Sequence, residues 1–424
     1  MKDFIPGSAD AREPLDQAAD RPPNPTGDDV LPPMAAGSAA ALAVDEAAGL
    51  TRRIGRRQWP LPQGADPNAP LLVVEGLTTE FALEKTTVHA VDDVSFTLRD
   101  GEALGIAGES GCGKTTTALS LVRLLPSNGR IAAGSVRMYG VDLIPKSDAG
   151  LRRYRWREIS IVFQGAMNAL NPVVRIGEQI AEPMVERLQL PEKEARKRSR
   201  DLLERVGIPR KRADAYPHEL SGGMRQRAMI AMALACDPAI VIGDEPTTSL
   251  DVMVQAQVLQ LLEELREELG LSLILITHDL SVIAETCDRV MIMYAGRVAE
   301  EGPVRRIFAR PRHPYTQMLM RAFPNVHADR RTLGVIHGSP PDLRNPPPGC
   351  RFHPRCPMAM DICRVERPPE LTFADGVRVA CHLYEPGTAG EPVPVPIEEA
   401  VAVPVEELAA GPAAPAESAE GAIA

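Results

Sequence analysis

The sequence predicts an α/β fold: a mixed β-sheet core, a helical subdomain and two low-complexity ends. Three observations carry that prediction. The apolar run "EALGIAG" (102–108) passes through a glycine-rich turn into the helical "KTTTALSLVRLL" (114–125). Two further apolar runs, "AIVIGDE" (239–245) and "LSLILITH" (271–278), flank "DVMVQAQVLQLLEELREELG" (251–270), whose apolar residues recur at helical spacing. Strand, helix, strand in that order builds a parallel sheet covered by helices. Between the two stretches, residues from about 165 to 235 read as helical, which sets that segment apart from the sheet.

Taken in order, residues 1–70 are rich in Ala, Pro, Asp and Gly without a sustained period and predict a disordered extension. Order is expected from "LLVVEGLTTEF" (71–81), a strand. "AVDDVSFTLRDGEALGIAGES" (90–110) alternates at Val91, Val94, Phe96 and Leu98, breaks at Asp100-Gly101 and resumes, which reads as a hairpin. "VMIMYAGRVAEEG" (290–302) reads as a closing hairpin turning at Ala295-Gly296. The motor-like part is expected to span 71–324, a small cysteine-bearing module 325–385, and a second disordered, acidic tail 386–424 of Pro, Ala and Glu.

Charge and hydropathy exclude several classes. The longest apolar run, "LSLILIT" (271–277), is far shorter than the ~20 residues a membrane-spanning helix needs. "MKDFIPGSAD" has no apolar core and is not read as a secretory signal. The chain is therefore expected in the cytosol, with any membrane role acting through a partner. The net charge of −10 sits in the two ends, leaving 71–384 near neutrality. That is not the basic excess of a nucleic-acid binder, so no nucleic-acid partner is expected.

"GESGCGKTT" (108–116) fits G-x-x-x-x-G-K-[ST] at every fixed position, after a strand and before a helix. Small residues there let backbone N–H groups wrap a polyphosphate, and the helix N-terminus adds positive potential. Gly108, Ser110, Gly111, Cys112, Gly113 and Thr116 are candidate contacts. Lys114 would reach the outer phosphates, and Thr115 would hold Mg²⁺. Cys112 reads as a small loop residue rather than a redox sensor. Asp244, at the end of its apolar run, is a candidate for the Mg²⁺ shell, and Glu245 beside it for the base that polarises the attacking water. "LSGGMRQR" (220–227) opens a helix with Ser221, Gly222 and Gly223, whose free N–H groups suit an anion. Alone, that run also fits an ordinary helix cap.

The order and spacing of these pieces resemble the ABC ATPases, a P-loop NTPase family with an ABC-type nucleotide-binding domain. The resemblance covers roughly 75–325. It implies that Gln164, in "VFQGAMNALNP", senses Mg²⁺ and contacts the membrane partner. It also implies that "SLD" (249–251), with Asp251, links two ATP sites, and that His278 contacts the γ-phosphate. Phe81 is the candidate adenine-stacking residue, with His89 as the alternative. The signature carries Met224 where many members have Gln. In such a family two domains enclose each nucleotide between the phosphate loop of one and the Ser221–Gly223 loop of the other. One chain holds one of each, so a second ATPase subunit, identical or paralogous, is required.

"GAMNALNP" (165–172), "HPYTQMLMRAFP" (313–324) and "GSPPDLRNPPPGCRFHPRC" (338–356) look like the ATP-binding subunits of dipeptide/oligopeptide importers, a branch that includes nickel importers. The implied partners are two integral-membrane permeases and, indirectly, an extracellular peptide-binding protein, with the chain peripheral on the cytoplasmic face. A helix is expected over 313–323, capped by its His-Pro turn. A soluble, non-transport ABC protein is the competing class, without the paired motors or coiled coil usual there. Cys350, Cys356, Cys363 and Cys381 are spaced C-x5-C-x6-C-x17-C, unlike a common zinc finger or a ferredoxin run. Some relatives in this branch carry an iron–sulfur cluster, so a [4Fe–4S] cube is a candidate occupant; zinc or reduced, metal-free thiols are the alternatives. A disulfide is not expected in the cytosol.

Overall fold

The computed structural model describes residues 60–165, 169–248, 250–322, 336–385, 391 and 393. The expected disordered stretches fall mostly outside these residues, as does Ser249. The strands are β1 (Leu72–Ala82), β2 (Thr87–Leu98), β3 (Ala103–Ala107), β4 (Gly129–Met138), β5 (Val141–Asp142), β6 (Ile159–Val162), β7 (Ile240–Asp244), β8 (Ser272–Ile276), β9 (Arg289–Tyr294), β10 (Arg297–Pro303), β11 (Glu370–Thr372) and β12 (Arg378–Ala380). The helices are α1 (Lys114–Leu121), α2 (Asp148–Leu151), α3 (Ile176–Leu188), α4 (Glu192–Arg205), α5 (Gly222–Ala233), α6 (Val252–Leu269), α7 (Leu280–Thr286), α8 (Val304–Ala309), α9 (Pro314–Ala322) and α10 (Asp361–Val365).

Two sheets result. An antiparallel one has the order β2-β1-β4-β5, and a mixed one the order β11-β12-β10-β9-β3-β8-β7-β6. In the second, β9, β3, β8, β7 and β6 run parallel. Strands β3, β7 and β8 are buried along their whole length, which is why their sequences are unbroken apolar runs rather than alternations. Helix α6 fits its sequence at both ends. Asp251 caps it through Val254 N–H (3.0 Å), Gly270 ends it in a left-handed conformation, and Val258, Leu261, Leu262 and Leu265 form its buried stripe. Helices α3, α4 and α5 pack together as the helical subdomain expected between about 165 and 235.

Strands β9 and β10 form the expected hairpin, with Ala295 and Gly296 both at positive φ, the signature of a two-residue turn matched to strand twist. Two expectations need correction. Strands β2 and β3 do not pair: β2 belongs to the antiparallel sheet, whereas β3 sits between β9 and β8. The break at Asp100-Gly101 is a crossing between sheets, because β3 is apolar on both faces and is covered only in the larger sheet. The packed chain also begins before 71, since Leu61 and Ala65 lie against the core and Asp66 N–H donates to Tyr139 C=O (3.0 Å). The described part of the cysteine-bearing segment 325–385 leans on the main body. Strands β11 and β12 extend the large sheet through β10, and Phe352, 1% exposed, belongs to the main core.

Candidate active site

Strand β3 delivers the chain into the phosphate loop, and α1 receives it. Two glycines there have no substitute. Gly108 has φ +148°, and a Cβ on it would lie 2.1 Å from Met293 C=O. Gly113 has φ +104°, and its Cβ would lie 2.3 Å from Ala90 C=O. The Lys114 ammonium is buried inside the loop and donates to Gly108 C=O (2.7 Å) and Glu109 C=O (3.1 Å), with Cys112 Sγ at 3.8 Å. It is thus held over the concavity an anion would fill. Burial pushes the Cys112 thiol up, which keeps it protonated and agrees with a packing role.

Strand β7 carries Asp244 to the same end of the sheet. Thr115 Oγ1 donates to Asp244 Oδ1 at 3.1 Å, which brings the two candidate Mg²⁺ ligands together. Burial raises the Asp244 carboxyl and the neighbouring Glu245 charge pushes the same way, against the Thr115 hydrogen bond and the Lys114 charge. Glu245 follows with φ +48°, uncommon for a side-chain-bearing residue, and its N–H is secured by Ile276 C=O (2.9 Å). That turn aims its carboxylate at three partners. Gln164 Nε2 donates to Oε2 at 2.7 Å, Thr248 Oγ1 donates to Oε2 at 2.9 Å, and His278 Nδ1 lies 3.4 Å from Oε1. Gln164, Glu245 and His278, separated by 81 and 33 residues, therefore converge on one carboxylate. Thr248 was not anticipated; its signal is its place three residues after Glu245, in the turn that leaves β7.

Ser221 caps α5, its Oγ accepting from Met224 N–H at 3.3 Å. Gly223 lies against Val254, where a Cβ would approach Cγ1 to 2.7 Å, so the Ser221–Gly223 loop and the Asp251 cap are neighbours. The Ser221 hydroxyl serves its own helix here. Phe81 lies at the outer end of β1, half-buried, its ring 2.8 Å from where a Gly129 Cβ would stand. The alternative, His89, faces Glu80 across the hairpin at 3.3 Å.

The cysteines behave differently. All four late thiols are free. Among the described residues no group of three or more His, Cys, Asp or Glu side chains is arranged to hold a metal ion, so the candidate cysteine site is not formed as a cage for one ion. Backbone contacts hold the segment instead: Cys350 N–H donates to Cys363 C=O (2.9 Å), and His353 N–H to Cys350 C=O (3.0 Å). Burial pushes the Cys356 and Cys381 thiols up to about 12, each reinforced by the other cysteines nearby.

The expected helix over 313–323 is α9. His313 Nδ1 accepts from Tyr315 N–H (3.0 Å), and Glu300 on β10 accepts from Arg312 and His313 N–H (2.7 and 2.9 Å). Among the described residues no helix is long and apolar enough to cross a membrane.

Comparison with known proteins adds to this geometry. A family model described as ABC transporter matches residues 91–248, and one described as oligopeptide/dipeptide transporter, C-terminal region, matches 299–363. The oligopeptide transport ATP-binding protein AppD of Bacillus subtilis is 46% identical over 318 residues, 74% of this chain and 97% of that protein. The oligopeptide transport ATP-binding protein OppD of Salmonella typhimurium is 47% identical over 321 residues, 75% of this chain and 95% of that one. Among solved structures, the dimeric ATP-binding cassette MJ0796 in a post-hydrolysis state with ADP and Pi aligns at TM-score 0.50 and 28% identity, covering 55% of this chain and 99% of that one.

Proposed function

We propose a mechanism for a chain that belongs to the ABC transporter family, in the branch of oligopeptide-import ATP-binding proteins. It binds and hydrolyses ATP and energises a dipeptide/oligopeptide importer through ATP-driven closure of a dimer. The observation that carries this reading is the convergence of Gln164, Thr248 and His278 on the Glu245 carboxylate, beside the Thr115–Asp244 pair.

The residues divide the work as follows. Gly108, Ser110, Gly111, Cys112, Gly113 and Thr116 present the loop backbone and helix start to the phosphates. Lys114, now held by two loop carbonyls, would exchange them for phosphate oxygens. Thr115, Asp244 and Gln164 would hold Mg²⁺; the hydroxyl–carboxylate pair already in contact suits a hard, oxygen-seeking cation. Bound there, the ion would neutralise part of the phosphate charge. Glu245 takes the proton of the attacking water, and His278, 69% exposed at its side chain, is free to reach the γ-phosphate. Phe81 stacks on the adenine.

The second half of each site comes from another ATPase subunit, through its Ser221, Gly222 and Gly223, with Asp251 linking the two sites. Closure is a two-state change that ATP biases and hydrolysis reverses. It acts on two integral-membrane permeases at the cytoplasmic face of the membrane, fed by an extracellular peptide-binding protein. The deciding experiment reconstitutes the chain with its permeases in vesicles and follows ATP hydrolysis and peptide accumulation together. Hydrolysis that is never coupled to peptide movement overturns the importer reading.

The four late cysteines are the finer part of the proposal. They present no closed cage for a single ion. Their mutual electrostatic influence marks them as one neighbourhood, and a four-iron cube spreads its thiolates wider than one ion does. Bound, such a cluster would lend folding energy to the segment. Anaerobic purification with a UV–visible spectrum and iron and sulfide analysis tests it. About four irons and four sulfides per chain support the cluster; a colourless, metal-free protein overturns it and leaves four packed thiols.

A further inference from the structure

Glu109 is the second residue of the phosphate loop and its carbonyl accepts from Lys114 Nζ at 3.1 Å, so its carboxylate puts a negative charge on the loop the proposed polyphosphate would enter. An unmasked carboxylate there would repel a polyphosphate. In this chain it is met by the guanidinium of Arg355, fork to fork: Nη1 donates to Glu109 Oε2 at 2.6 Å and Nη2 to Oε1 at 2.9 Å. The two residues are 246 positions apart.

Arg355 is built into position from several sides. Nε donates to His337 C=O (3.0 Å), Nη2 to Ile336 C=O (3.4 Å) and Nη1 to Tyr294 OH (3.2 Å). Its guanidinium lies 5.8 Å from the Tyr294 ring centre, and its side chain is 6% exposed. The backbone of Glu109 is held independently, its N–H donating to Tyr315 OH at 2.9 Å. Tyr294, Tyr315 and Phe352 pack on one another with ring centres 4.7–5.3 Å apart, so both contacts to Glu109 stem from one aromatic block.

We propose that Arg355 is a positioning residue of the nucleotide site: it masks the Glu109 charge from the polyphosphate and, with Tyr315, fixes the first turn of the phosphate loop. The inference rests on the ATP-binding reading and deepens it. A bridge that served folding alone would lower stability when broken and leave nucleotide affinity alone. A charge mask makes a different demand: losing Arg355 must weaken binding, and losing Glu109 as well must restore it.

The test is Mg·ATP affinity of the full chain by calorimetric titration, for the parent, Arg355→Gln, Glu109→Gln and the double variant, with Tm recorded for each. Arg355→Gln is expected to weaken binding about tenfold at low salt, with the loss shrinking as ionic strength rises. Glu109→Gln tightens binding, and the double variant recovers most of the loss. Parent-like affinity in Arg355→Gln, or a double variant no better than it, overturns the proposal whatever happens to Tm. Should Arg355→Gln fail to fold, Arg355→Lys replaces it. A point charge masks Glu109 less completely than the fork, so binding weakens by a smaller factor and the same rescue is required. If the parent binds no Mg·ATP, the nucleotide reading fails and takes this inference with it. If the parent binds and Arg355→Gln binds equally, only the Arg355 assignment falls.

Discussion

The phosphate-binding end of the sheet and the cysteine-bearing segment meet at Glu109 but are built by opposite means. In the first, each functional side chain sits at the end of a buried strand or the start of a helix: Lys114 after β3, Asp244 at the end of β7, His278 just past β8. In the second, functional contacts come from irregular backbone held by arginines and an aromatic block. Arg355 grips Glu109, Arg351 grips Asp92, and Phe352 packs on Tyr294 and Tyr315. Regular elements place a catalytic group with few contacts of its own. Irregular backbone needs many, and so becomes part of the core it leans on.

The sharpest break between the two halves is expected at Glu245. Glu245→Gln keeps both Gln164 and Thr248 within reach yet cannot take a proton. ATP should still bind, while turnover falls by roughly 10²–10⁴. Single-turnover hydrolysis of labelled ATP checks this, and near-normal turnover would place the base elsewhere. The next effect lies in the other half. Phe352→Ala removes a fully buried ring from the aromatic block and should cost about 3–5 kcal/mol. Calorimetric unfolding would show one lowered transition for sheet and segment together. A separate, early transition with the main one unmoved would mean that the segment is a dissociable module after all.

That contrast also explains what the sequence could show. The phosphate loop, Asp244 and Glu245 were candidates because each lies in a local strand–turn pattern, whereas His278 stood out only through the resemblance to a family. Helix α6 was legible from the helical spacing of its apolar residues, whereas its Asp251 cap and Gly270 end emerged only in the structure. The β2–β3 hairpin was misread because Asp100-Gly101 supports a sharp bend whether the chain returns along the same sheet or crosses to another; only the two-sided apolar character of "ALGIA" hinted at the crossing. Strands β11 and β12, three residues each, are too short to show a period. Arg355 and Tyr315 had no local signal at all, since their partner lies more than 200 residues away. An acidic residue inside an anion loop was the clue available, and it asks for a cation without saying where.

A smaller effect tests how the two halves are joined at β10. Burial pushes Glu300 up to about 7 from 4.5, against two backbone N–H groups that favour its charged form. Burial pulls His313 down to about 4 from 6.5. Between about pH 4 and 6.5 the unfolded chain binds the His313 proton and the folded one does not, so this group makes stability rise with pH. Between about 4.5 and 7 the folded chain keeps the Glu300 proton, so that group makes stability fall with pH. The two slopes offset each other in the shared window. His313→Gln removes the rising one, and its Tm should then decline from pH 4.5 to 7, by an amount equivalent to roughly 2–3 kcal/mol. A profile parallel to the parent's would show that His313 does not titrate with folding.

The smallest stability effect is expected at Ser221, and it separates two jobs held by one hydroxyl. In the single chain Ser221 Oγ accepts from Met224 N–H at 3.3 Å, a long helix cap. Ser221→Ala should therefore lower stability by only about 0.5–1 kcal/mol. In the proposed closed dimer the same loop would face the partner's nucleotide, where a lost donor would be felt by a charged, desolvated phosphate and count for more. The variant should unfold nearly as the parent does but pair more weakly with ATP, seen as a shifted concentration dependence in sedimentation of an Glu245→Gln background. Equal pairing with and without the hydroxyl would confine Ser221 to its cap and leave the Gly222 and Gly223 backbone as the whole of the anion contact.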